Sequence, residues 1–192
     1  MSLRIYRSLK PIIAAINGAA VGVGITMTLP MDIRIASSEA KAGFVFARRA
    51  IVPEATSTFF LPRIVGISTA LSWCYSGKLI AAPEMHAGGL VSEVTAPETL
   101  LSRAFEIARE IADNTAPVSI ALTRQMLWRG LEMSHPMEAH KIDSRAVAHR
   151  GRSGDAAEGI ESFLEKRQAE FKNKVSTDMP DFYPWWDEPK YK

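Results

Sequence analysis

Apolar positions along the chain follow two rhythms. As far as Val94 they come in short runs broken by glycine, proline or polar pairs, and beyond Pro97 they recur every three or four residues. The short runs predict strands. Pro11 to Ile16 is a β-branched run suited to a strand buried on both faces, and Asn17-Gly18 after it is a turn signal. Ser2 to Leu9 reads as the tail of a helix, and a further helix is predicted over Thr26 to Leu29, closed by Pro30. Asp32 to Ala36 and Phe44-Val45-Phe46 alternate as strands, and Arg48 to Thr56 reads as loop. Helical spacing begins at Thr58. Ile67 to Ser76 is a helix ended by Gly77, Ala82 to Ala87 a short one opened through Pro83, and Leu90 to Val94 the last strand.

The second half is helical. Leu100, Leu101, Ala104, Phe105, Ala108, Ile111 and Ala112 share one face at the 3.6-residue period, and Val118, Ala121, Leu122 and Gln125 continue it after Asn114 and Pro117. Further helices are expected from Pro136 towards His149 and from Asp155 to about Lys172, the latter with Ile160, Phe163, Leu164 and Phe171 on its apolar side. Beyond Lys174, prolines alternate with Phe182, Tyr183, Trp185 and Trp186. This tail is no regular helix, yet it is too apolar for a free linker, so it is expected to dock on a surface, of this chain or of a neighbouring subunit. The expected division is 1–97 for the α/β core, 98–174 for a helical region and 175–192 for the tail.

Composition narrows the classes. With 192 residues and 47% hydrophobic content the chain can bury one sizeable core. A net charge of +2 makes no case for nucleic acid as a bulk electrostatic partner. The single cysteine, Cys74, excludes an internal disulfide framework and fits a reducing compartment. No apolar run approaches the roughly 20 residues that span a bilayer, so a soluble intracellular protein with no membrane association is expected. The C-terminus lacks a Ser-Lys-Leu-type address, and cytoplasm, mitochondrion and peroxisome are not distinguished. His86, His135, His140 and His149 do not have metal-ligand spacing, so no metal is expected.

Candidate chemistry concentrates at two places. Gly22 and Gly24 carry no Cβ to block a ligand approaching the main chain. If the following residues are helical, the Val23 and Gly24 amides are unpaired first-turn donors that stabilise charge developing on a carbonyl oxygen. The second place is Glu54, in Ile51-Val52-Pro53-Glu54-Ala55-Thr56-Ser57. A carboxyl buried in an apolar pocket there would move a proton, and a solvated loop glutamate is the alternative. Arg48-Arg49 reads as a phosphate contact or as an ordinary surface pair.

The ordered motifs Lys-Pro-x-x-Ala-Ala-x-Asn-Gly-x-Ala-x-Gly-x-Gly from Lys10, Asp32-Ile33-Arg34-Ile35-Ala36, Leu61-Pro62-Arg63-Ile64-Val65-Gly66, Ala87-Gly88-Gly89-Leu90-Val91 and Phe163-Leu164-Glu165-Lys166-Arg167 resemble the crotonase superfamily of enoyl-CoA hydratases and isomerases. The resemblance implies an α/β spiral of ββα units with a helical C-terminal region, assembled as homotrimers or hexamers. It also implies an acyl-CoA thioester as substrate, with no metal or redox cofactor. Matched residue by residue, it places one oxyanion-hole amide on Val23 and substrate or CoA contacts at Gly22, Gly24, Phe46, Phe163 and Lys166. The loop that supplies the second amide precedes the Lys-Pro strand in the family, and Met1 lies nine residues before Lys10, so the first part of the spiral is expected to be missing. Thr26 and Phe46 stand where hydratases hold glutamates, whereas Glu54 matches a proton-carrying glutamate of the isomerases. The implied activity is therefore isomerase-like proton transfer. The alternatives are an enoyl-CoA hydratase and a catalytically incompetent scaffold or acyl-CoA-binding protein.

Overall fold

The computed structural model describes residues 1–191, which divide into two compact units, Met1–Glu110 and the residues from Ile111 onward. In the first unit, α1 (Ser2–Tyr6) sets Tyr6 edge-on against Phe60, with ring centroids 5.4 Å apart. The chain then steps from β1 (Ile13–Ile16) through Asn17-Gly18 to β2 (Ala19–Val21), and α2 (Val23–Thr26) follows at once. A second step of the same kind runs from β3 (Ile33–Ser37) to β4 (Lys41–Gly43), a 3-10 turn at Ala47–Arg49, α3 (Ser57–Val65) and α4 (Ile67–Ser76). β5 (Leu79–Ala81), α5 (Ala82–Ala87) and β6 (Glu93–Thr95) complete the pattern.

The strands form two sheets of three. One is parallel in the order β1-β3-β6, with Ile13 opposite Ile33 and Ile35 opposite Glu93. The other has the order β2-β4-β5, with β2 parallel and β5 antiparallel to β4. Successive strand pairs thus contribute one strand to each sheet, which is the mixed α/β spiral expected. Its core is Ile25, Leu29, Ile35, Phe44, Ile80 and Met85, all fully buried, with Phe44 stacked on Trp73.

α6 (Leu100–Asn114) holds the boundary between the units. The second unit contains α7 (Pro117–Gly130), α8 (Pro136–Arg150) and α9 (Gly154–Glu165). Val118, Ala121, Leu122 and Gln125 form the buried face of α7 as the periodicity predicts. The aromatic tail docks on its own chain. The Arg129 guanidinium of α7 lies 4.1 Å from the ring centroid of Trp186 and 3.0 Å from Glu188 Oε1, while Arg145 and His149 of α8 meet Phe182. Among the described residues no helix is long and apolar enough to cross a membrane.

Several expectations are corrected. β2 and β5 are three residues each, too short for a visible alternation, and neither is predicted. Phe44 to Phe46 is not a strand. The ladder with β2 and β5 ends at Gly43, and the alternation of Phe44 and Phe46 records burial instead. The predicted Thr26–Leu29 helix ends at Thr26: beyond it the amides of Thr28, Leu29 and Met31 donate three residues back as tight turns, and the Arg34 guanidinium takes the carbonyls of Leu29 and Met31 at 3.2 and 2.5 Å. The last helix stops at Glu165 and not near Lys172. Lys166 adopts φ 57°, and the chain folds back so that the amides of Lys172 and Asn173 donate to Asp155 Oδ1. On α6 only Leu100 is buried, while Leu101 and Phe105 of the same predicted face are exposed.

Candidate active site

The glycine turn is held from both sides of its backbone. Gly22 has φ 57° and ψ −123°, a region open essentially to glycine alone, and it directs the chain from β2 into α2. Its N–H donates to the Gly43 carbonyl at 2.9 Å, and its own carbonyl accepts from the amides of Ile25 and Thr26. Gly43 is itself confined, since a Cβ there would meet Leu79 Cδ2 at 2.9 Å. The Val23 and Gly24 amides open α2 and, among the described residues, meet no acceptor. Val23 is 58% exposed, so the edge carrying these donors is open to a ligand.

Glu54 reaches the same helix. Its Oε1 accepts from Thr26 Oγ1 at 2.5 Å, and Thr26 is fully buried. The loop that presents it is bent by two successive left-handed residues, Ala55 at φ 54° and Thr56 at φ 59°. It is closed by Ser57, whose amide and hydroxyl both donate to the Glu54 carbonyl. The expectation of a carboxyl buried in an apolar pocket is corrected: Glu54 is exposed. The apolar space lies along the loop instead, as a groove of about 400 Å³ lined by Ile51, Val52, Pro53, Leu61, Leu71 and Tyr75.

Gly22, Val23, Gly24 and Glu54 thus come together around α2. Phe46 does not join them at the surface, because it is 5% exposed and belongs to the core at the start of the 3-10 turn. Phe163 and Lys166 lie at the end of α9 in the second unit, with Phe163 80% exposed and the Lys166 amide donating to the Phe163 carbonyl. Of the arginine pair, Arg48 is engaged structurally, its Nε donating to the Ser76 carbonyl at 2.7 Å. Burial pushes the Cys74 thiol up, away from thiolate chemistry.

Sequence reasoning missed two supporting residues. In the sequence Thr26 registers only as a missing carboxylate, and nothing there signals its hydroxyl's contact with Glu54. Arg34 stood inside a motif without a role, yet its guanidinium donates to the carbonyls of Thr28, Leu29, Met31 and Leu90 and so fixes the segment leaving α2. Burial outweighs the nearby Asp32 and brings the Arg34 pKa down to about 10, which leaves it charged at neutral pH. Charged side chains carry no periodic signal for such a tie.

A two-sheet spiral with a glycine turn feeding a short helix defines the crotonase fold class, and the comparisons agree. The enoyl-CoA hydratase/isomerase family model matches residues 1–174. This chain belongs to the enoyl-CoA hydratase/isomerase family. It is 47% identical over 176 residues to the enoyl-CoA hydratase ACTT3 of Alternaria alternata, covering 91% of this chain and 59% of that protein. It is 32% identical to the 1,2-epoxyphenylacetyl-CoA isomerase of Escherichia coli, covering 89% and 64% respectively. The crystal structure of enoyl-CoA hydratase from Bacillus anthracis superposes with a TM-score of 0.86 at 32% identity, over 90% of this chain and 66% of that one. The chain thus spans about three fifths of the length of the first curated relatives.

Proposed function

We propose that this chain carries the proton-transfer half of an enoyl-CoA isomerase site. Glu54 takes a proton from the carbon next to a thioester carbonyl, the Val23 amide stabilises the enolate oxygen, and Glu54 returns the proton two carbons further along the acyl chain. The observation that carries this reading is the pairing around one helix. The unpaired amides of Val23 and Gly24 open α2, and Thr26 at its other end holds a carboxylate. A single carboxylate suffices for a shuttle between two carbons. Three other acidic groups of the unit are engaged elsewhere, Asp32 with the Ile12 amide, Glu84 with Trp73 and Lys78, and Glu93 with Arg103.

The hydratase reading has support from the name of the Alternaria relative. Isomerisation of a 3-enoyl-CoA and hydration of a 2-enoyl-CoA, measured on one preparation, separate the two. The proposal expects isomerisation to be faster, and the opposite order overturns it. The reading includes assembly as a homotrimer or hexamer, supported by the exposed Ile160, Phe163 and Leu164 on α9 and tested by light scattering.

A further inference from the structure

We propose that Thr26 is the positioning residue of this site, an inference that rests on reading Glu54 as the proton carrier. The loop that bears Glu54 does not hold its side chain unaided, since it is exposed and its two left-handed residues bend it away from regular structure. The fixed point is Thr26, buried on α2, whose Oγ1 lies 2.5 Å from Glu54 Oε1 and 3.2 Å from the Gly22 carbonyl. A hydroxyl has one proton, and the shorter contact goes to the carboxylate. Oε1 is thereby occupied, and Oε2 has no partner among the described residues.

One short helix therefore sets both ends of the reaction. Its first amides mark where the carbonyl oxygen rests, and its last residue marks where the base rests. Oε2 removes the proton from the carbon α to the thioester. The C–H electron pair passes into the conjugated enolate, and the protonated carboxyl delivers the same proton to the carbon two positions on as the electrons return, with no net gain of protons or electrons. Thr26 touches no reacting atom. It fixes which oxygen faces them.

The test uses Thr26→Val, which removes the hydroxyl with little change in volume, and Thr26→Ser, which keeps it. Conversion of a 3-enoyl-CoA to the 2-enoyl-CoA, followed by NMR, gives kcat and KM. Thr26→Val should lower kcat by about 10²-fold, with KM little changed, and Thr26→Ser should recover most of the rate. Amide exchange over residues 51–57 supplies a readout independent of turnover: Thr26→Val should speed it and Thr26→Ser should not. Glu54→Gln is run alongside. If Glu54→Gln is as active as the unsubstituted chain, the proton-carrier reading fails. If Glu54→Gln is inactive while Thr26→Val keeps full kcat, the positioning inference alone fails. If the unsubstituted chain does not turn over, exchange at 51–57 that is the same in Thr26→Val overturns it.

Discussion

The Gly22 amide donates to the Gly43 carbonyl at 2.9 Å, tying the turn before α2 to the last residue of the strand beside β2. Because that turn needs φ 57°, its geometry belongs to the backbone and not to any side chain. Nothing lies within 4 Å of a Cβ built on Gly22, so a substitution there tests conformation without collision.

Gly22→Ala should therefore destabilise the fold by about 1–3 kcal/mol, the usual cost of a non-glycine residue forced into such a region. Gly24→Ala is the control, since Gly24 also has open space and no positive φ. Its stability should be unchanged or slightly raised. Urea midpoints that match in the two variants would contradict this.

Glu54→Gln keeps the size of the side chain and its acceptor for Thr26 but removes the base. Turnover should fall roughly 10²- to 10⁴-fold with CoA binding nearly intact. Unchanged kcat in a 3-enoyl-CoA isomerase assay would sink the assignment.

Arg167 grips Glu158 with two nitrogens at 2.6 and 2.9 Å, and the Glu170 amide adds a third contact. The Arg167 hydrogen bonds, and after them the Glu170 amide, hold the carboxyl at about 2 against its ordinary 4.5. A proton binds the unfolded chain more readily than the folded one. The stabilisation is therefore complete above about 4.5 and is lost as pH falls towards about 2. Denaturation midpoints of the unsubstituted chain and Glu158→Gln should differ at neutral pH and converge as the medium is acidified through that window. A gap independent of pH would show that the carboxylate plays no part.

Arg129 holds the tail through Trp186 and Glu188 at once. Arg129→Met should cost about 1.5–3 kcal/mol, the scale of a charged hydrogen bond, and loosen the tail. Tryptophan emission should shift to the red, and protease should cut between residues 175 and 190. Emission and cleavage identical to the unsubstituted chain would mean that other contacts hold the tail.

Local signals made part of the fold legible. α4 and α5 begin and end where the sequence placed them, because Gly77 adopts φ 54° at one C-terminus and Pro83 sits in the first turn of the other. β2 and β5 left no trace, since three residues cannot display a period and their pairing is decided by β4. The site divides in the same way. Gly22 and Glu54 stand out as residue types in a pattern, whereas the meeting of Thr26 with Glu54 joins positions 28 residues apart and exists only once the loop is folded. The sequence leaves Glu54 either in an apolar pocket or solvated on its loop; its neighbours Ile51 to Pro53 supply an apolar lining while its own side chain is exposed.

Arg34 binds the turn after α2 entirely through main-chain oxygens, those of Thr28, Leu29 and Met31, together with Leu90 from far along the chain. What this asks of residues 28, 29 and 31, packing aside, is a path and not an identity. The chemical requirement is concentrated in one side chain, because lysine has no planar fork with which to reach four separate acceptors. Such a turn can drift in sequence from one descendant to the next while its shape persists, and the constraint that preserves the shape is carried at position 34.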